Sequence, residues 1–236
     1  MKRSIGIIFF LSVILTLPLR GNANDTPDLR GAYVGLIGGV AIPSPLPTTV
    51  TDNTDGGKAK VDISMKLGFL AGLKAGYRLP FADRIFSAEL EYNHIESNTD
   101  TGKKYSGTSV DTKITGDLIM LNLIARQPAG KWHPYVGAGA GYAIIRLNDV
   151  SGVSEGAKVL SLPGQTLGAF AYQFFIGLDY DINKNWYVGL NYKYLITQSV
   201  SYTVTGTDTV TGTPQSGTFE TQFSSHLVML TIGYQF

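Results

Sequence analysis

The sequence predicts an all-β chain: an eight-stranded antiparallel up-and-down transmembrane β-barrel. Three observations lead there. Strand-length runs in which apolar and polar residues alternate recur eight times along the chain. Their polar faces carry charges of both signs in near balance, and the connections alternate between long polar segments and short turns. In a closed antiparallel sheet, that alternation puts every long connection at one rim and every short turn at the other.

Composition sets the bounds. The 236 residues fit one domain, and 28 glycines with 13 tyrosines favour strands over helices. Charged residues make up only 16%, and 19 basic against 18 acidic side chains leave no footprint for nucleic acid. The absence of cysteine excludes disulfides and thiolate metal sites. At the start, Lys2 and Arg3 precede an apolar run from Ile5 to Leu17 and then Gly21-Asn22-Ala23. This pattern reads as a signal peptide over 1–23, with the barrel domain over 24–236. The run is shorter than the ~20 residues a helical span needs, and no later segment is long and apolar enough to be one.

Each strand is justified by its faces. In the first, Gly31 to Ile42, residues Val34, Leu36, Val40 and Ile42 are expected outward and Tyr33, Gly35, Ile37 and Gly39 inward. The second, Ser64 to Leu79, sets Leu67, Phe69, Leu73 and Tyr77 against Lys66, Lys74 and Arg78. The third sets Phe86, Leu90, Tyr92 and His94 against Glu89 and Glu91. In the fourth, Ile119, Leu121 and Leu123 face away from Leu118, Met120, Asn122 and Arg126, so its inward side is unusually apolar. The fifth, PYVGAGAGYAIIRL, turns Gly137, Gly139 and Gly141 inward, which suits a narrow lumen filled by bulky neighbours. Its glycines alternate within a strand and open no helix, so they make no phosphate loop.

The sixth strand carries Asp179 and Asp181 inward, and after the tight turn Asn183-Lys184-Asn185 the seventh carries Lys193. A long polar segment, Gln198 to about Gln222, leads to the eighth strand, His226 to Phe236. That segment contains TVTGT twice, Thr203 to Thr207 and Thr209 to Thr213, a pattern that suits a β-ribbon above the membrane or a slipped repeat. Aromatic residues mark both ends of the outward faces. The eight residues from Trp186 to Tyr194 climb about 20 Å at the usual rise and tilt, close to the height of an apolar membrane band.

The predicted site is a lumen charge network of Lys66, Lys74, Arg78, Glu89, Glu91, Arg126, Asp179, Asp181 and Lys193. Unpaired charge in a narrow lumen is costly, so five cations and four anions are expected to pair, with Lys74 opposite Glu89 or Glu91. An eight-stranded barrel is just wide enough for side chains to fill, so little conductance is expected. For catalysis, His94, His226, Ser224 and Ser225 are the residues to weigh, but no carboxylate is expected to complete either histidine. No catalytic residue, cofactor or metal site is assigned. Three scattered histidines, His133 among them, make no metal cluster.

The closing strand HLVMLTIGYQF, with Tyr234 two before Phe236, resembles the terminal signature of bacterial outer-membrane barrels. YVGLIGG, SAELEY and PYVGAGAGYA, in that order, resemble the small eight-stranded opacity-protein and surface-antigen barrels, OmpA-like without a periplasmic domain. The resemblance implies a bacterial outer-membrane location reached through the periplasm. It also implies that Tyr234 and Phe236 are an assembly signal read by the barrel-assembly machinery, and that the protein is a surface antigen or structural barrel displaying loops for adhesion to host molecules. The alternatives are a narrow porin-like channel for small solutes and, third, a lipid-modifying enzyme. Outer-membrane lipid is the expected surrounding partner and a monomer the expected state.

Overall fold

The computed structural model describes residues 31–52, 57–63, 66–98, 108–111, 113–147, 150–154, 157–162, 165–207 and 214–236. The expected signal peptide and its cleavage point lie outside them. Among the described residues fifteen strands occur: β1 (Ala32–Pro43), β2 (Leu46–Asp52), β3 (Lys58–Ile63), β4 (Gly68–Arg78), β5 (Phe86–Asn98), β6 (Thr108–Asp111), β7 (Lys113–Arg126), β8 (Trp132–Leu147), β9 (Val150–Ser154), β10 (Ala157–Leu162), β11 (Gln165–Asp181), β12 (Trp186–Thr197), β13 (Val200–Thr207), β14 (Pro214–Thr221) and β15 (Ser224–Gln235). No helix among them is long and apolar enough to cross a membrane.

Eight of these strands close into the barrel, in the order β1-β15-β12-β11-β8-β7-β5-β4, with every neighbouring pair antiparallel. Closure is made by β1 against β15, from Tyr33 opposite Gln235 to Pro43 opposite Ser225. Closure satisfies the backbone of both end strands, a requirement in a medium that offers no hydrogen-bond partners. The short turns share one rim. One is a 3-10 turn at Ala82–Arg84, and another is held by the Asn183 Oδ1, which accepts from the backbone N–H of Asn185 and Trp186 at 2.8 and 2.9 Å.

At the opposite rim the polar connections are not plain loops. β13 pairs with β14, β14 with β2 and β2 with β3 in one four-stranded sheet, and β10, β9 and β6 form a three-stranded one. The barrel strands also run further than the alternation alone indicated: β5 reaches Asn98 and β11 begins at Gln165. The first TVTGT copy lies in β13; the second lies outside the described residues.

Exposure is inverted relative to a protein in water. Phe69 is 70% exposed, Leu230 65%, Leu67 55% and Ile232 48%, whereas Lys74 and Glu89 are 6% and 2% exposed. A continuous apolar outer wall around a charged interior is stable only in hydrocarbon. Aromatic side chains ring both ends of the wall, with Tyr77, Trp132, Trp186 and Phe236 toward the short-turn rim and Tyr92, Tyr142, Phe170 and Tyr172 toward the other, all exposed.

Candidate functional site: the lumen

The lumen has two storeys. Near the short-turn rim it is charged and aromatic. Near the long-loop rim it is apolar, with Ile37, Leu70, Ile114, Leu118, Met120, Ile145, Leu195, Leu227 and Met229 packed in one buried cluster. The apolar storey extends what the sequence showed only in parts, at Ile37 and on the inward face of β7, and stands beside the expected charge network. The inward positions at the upper ends of β4, β7, β12 and β15 carry large apolar residues, which fill the width an eight-stranded barrel leaves.

In the lower storey each ion has named partners. The Lys193 Nζ donates to Glu91 Oε1 at 2.6 Å and also contacts Oε2, crossing the lumen from β12 to β5. Glu91 further accepts from Asn93 at 2.6 Å and Asn122 at 3.1 Å. Lys74 pairs with Glu89 Oε2 at 3.3 Å, the same oxygen that accepts from the Tyr33 hydroxyl at 3.0 Å. Backbone register sets Lys74 opposite Glu91, yet Glu91 is engaged by Lys193 and the lysine turns to the next carboxylate. Gln173 donates to Asn122 at 2.6 Å, tying β11 to β7 through the lumen. The Lys193 ammonium also lies 4.6 Å from the Phe175 ring centroid, a cation–π contact.

Closer to the short-turn rim, Arg78 donates to Gln235 Oε1 at 2.6 Å, and Arg126 lies 3.8 Å from Asp179 and 3.7 Å from Asp181. Fully buried His133 spans Gln127 O at 2.8 Å and Asp181 Oδ2 at 2.9 Å, a member of the network that the sequence did not suggest. Lys66 is the exception among the expected charges. Its side chain is exposed two residues before β4 begins at Gly68, while its backbone N–H donates to Asn98 O at 2.9 Å.

Space is nearly exhausted around these groups. The cavity beside Lys74, Glu89, Arg126 and Asp179 measures about 10 Å³, which is the room of about one water. The glycines of β8 account for part of this fit: a Cβ on Gly137 would meet the Phe175 ring, one on Gly139 would meet Asn122, and one on Gly141 would meet Met120 and the β7 backbone. Bulky neighbours thus occupy the places those glycines vacate, as the sequence suggested.

The histidines considered for catalysis lie on the outer wall. His94 does meet a carboxylate, contrary to expectation: its Nδ1 is 2.8 Å from Asp117 Oδ1, because register sets the two opposite each other on β5 and β7. His226 instead has the Tyr192 hydroxyl 2.6 Å from its Nδ1 and stacks on that ring. Ser225 is opposite Leu195 and Ser224 opposite Ile196 on β12, and the hydrogen-bond partners of the two histidines are Asp117 and Tyr192 instead of these serines. Among the described residues no group of three or more His, Cys, Asp or Glu could hold a metal ion.

A closed antiparallel barrel with a lipid-facing wall and a packed lumen defines an outer-membrane barrel protein. Residues 9–236 match the model of the family described as outer membrane protein beta-barrel domain, and the chain belongs to that family. It is a protein of the bacterial outer membrane. Among solved structures, OprG from Pseudomonas aeruginosa shares the fold at a TM-score of 0.56 with 15% identity, over 90% of this chain and 100% of that one. Neisserial surface protein A matches at a TM-score of 0.46 and 16% identity over 87% and 97%. Ail of Yersinia pestis matches at 0.36 and 12% over 84% and 99%. Comparison with curated proteins finds no match.

Proposed function

We propose that this outer-membrane barrel is a surface-display protein, a non-conducting scaffold that holds β-structured loops for contact with host or neighbouring surfaces. The observation that carries this reading is the blocked lumen below an extramembrane four-stranded sheet. Ions permeate through a continuous wet path, and a lumen filled by Lys193–Glu91, Lys74–Glu89 and the apolar storey offers none. Lipid chemistry of the serine type would need a serine poised on His94 or His226, and their partners are Asp117 and Tyr192.

The outer strands of the four-stranded sheet, β3 and β13, are placed to accept a strand from a partner, the usual route by which an extended segment adds to a sheet. Tyr234 and Phe236, ring centroids 5.1 Å apart, are assigned to recognition by the assembly machinery, and the barrel works as a monomer in lipid. The test is binding of cells expressing the protein to host-cell monolayers. Exchange of the segments carrying β2–β3 and β13–β14 for short turns should abolish adherence while the barrel still reaches the membrane. Undiminished adherence by the exchanged variant would refute display by these loops.

A further inference from the structure

On the outer wall, the apolar face of four adjacent strands ends abruptly in a polar cluster. The lower row, in register across β5, β7, β8 and β11, is Tyr92, Ile119, Tyr142 and Phe170. Tyr142 and Phe170 meet edge to face at 5.6 Å and 87°. One pleat toward the long-loop rim, Asp117 becomes a hub. It accepts from the Tyr92 hydroxyl at 2.7 Å, from His94 Nδ1 at 2.8 Å, and from Arg146 through its second oxygen. The Lys113–Glu96 pair stands beside it.

This arrangement leaves the donors turned outward. Asp117 is only 15% exposed and its oxygens are engaged, whereas the side chains it positions, His94 and Arg146, are 43% and 48% exposed. With Nδ1 committed to the carboxylate, the imidazole presents its opposite nitrogen, and Arg146 uses one terminal nitrogen of its fork on Asp117. Charge on the lipid side of a barrel is tolerated only near the headgroups, which sets the cluster at that depth. A guanidinium with a fixed imidazole suits a phosphate, and the aromatic row beneath suits acyl chains. The Tyr92 hydroxyl donates to the same carboxylate and so ties the aromatic row to the polar cluster above it.

We propose that this wall of β5, β7, β8 and β11 is a binding site for a phosphorylated lipid of the outer leaflet. Arg146 and His94 take the phosphate, and Tyr92, Tyr142 and Phe170 take the chains. The site depends on membrane insertion and not on the display reading above.

Native mass spectrometry of the full mature chain released from detergent micelles tests it, with diphosphoryl lipid A, its dephosphorylated form and inorganic phosphate as probes. Diphosphoryl lipid A should be retained, and loss of one charge-assisted contact in Arg146→Gln or His94→Gln should cut retention about tenfold. Lys184→Gln, an exposed position at the short-turn rim, should retain lipid A as the parent does. The heat-dependent gel mobility of each variant reports that the barrel is folded. Equal retention of the dephosphorylated lipid, unchanged retention in both folded variants, or inorganic phosphate held as firmly as the lipid would each overturn the proposal.

Discussion

Glu91 and Lys193 are 1% and 2% exposed and face each other across the lumen. Removing one partner of such a pair strands the other charge without water. Glu91→Ala should therefore lower the unfolding free energy by about 3–5 kcal/mol, measured by urea titration in detergent. The double variant Glu91→Leu with Lys193→Met should recover only part of that loss, because a packed apolar pair avoids the desolvation of the charges but leaves Asn93 and Asn122 without the Glu91 oxygens that accept from them. Gly130 illustrates a different constraint: its φ is 87° and a side chain there would meet nothing within 4 Å. Gly130→Ala should thus cost about 1–2 kcal/mol through the backbone alone, seen in the same titration. That these inward residues face inward was legible from their period. That Glu91 meets Lys193 was not, since partners across a lumen depend on strand stagger and lie 102 residues apart.

At the level of elements, the ribbon β13–β14 stands on a closed base. Thr197 N donates to Phe223 O at 2.8 Å, and Phe223 N returns a bond to Thr197 Oγ1 at 3.1 Å. Cutting between them spares every barrel ladder, so replacing 199–221 by Asn-Gly should leave heat-dependent mobility and the urea midpoint unchanged. A variant that no longer assembled would mean that the ribbon supports the barrel. The eight barrel strands were readable because one face of each meets hydrocarbon and keeps strict alternation. Beyond the rim the TVTGT repeat pointed to the ribbon strand β13, whereas the pairing of the other strands there was hidden, because Thr-, Asp- and Gly-rich segments wet on both sides leave no such pattern. The pairing of His94 with Asp117 was missed for a related reason: each lies on a readable face, but their meeting is a matter of register between neighbouring strands.

For the molecule as a whole, the sealed lumen makes a direct electrical claim. Reconstituted in a planar bilayer, the protein should give no stable open-state current; large, long-lived steps would mean that the ion pairs part and water enters. Opening would have to separate Lys193 from Glu91 and also part the apolar storey above them, and the two costs would add.

The seam between β1 and β15 carries one more implication. The earliest strand finds its second neighbour only when the last one arrives, so a chain still lacking residues 224–235 holds two raw edges and no finished wall. Hairpins made earlier leave both of those edges unpaired, and it is β15 that closes the ring around its salt bridges.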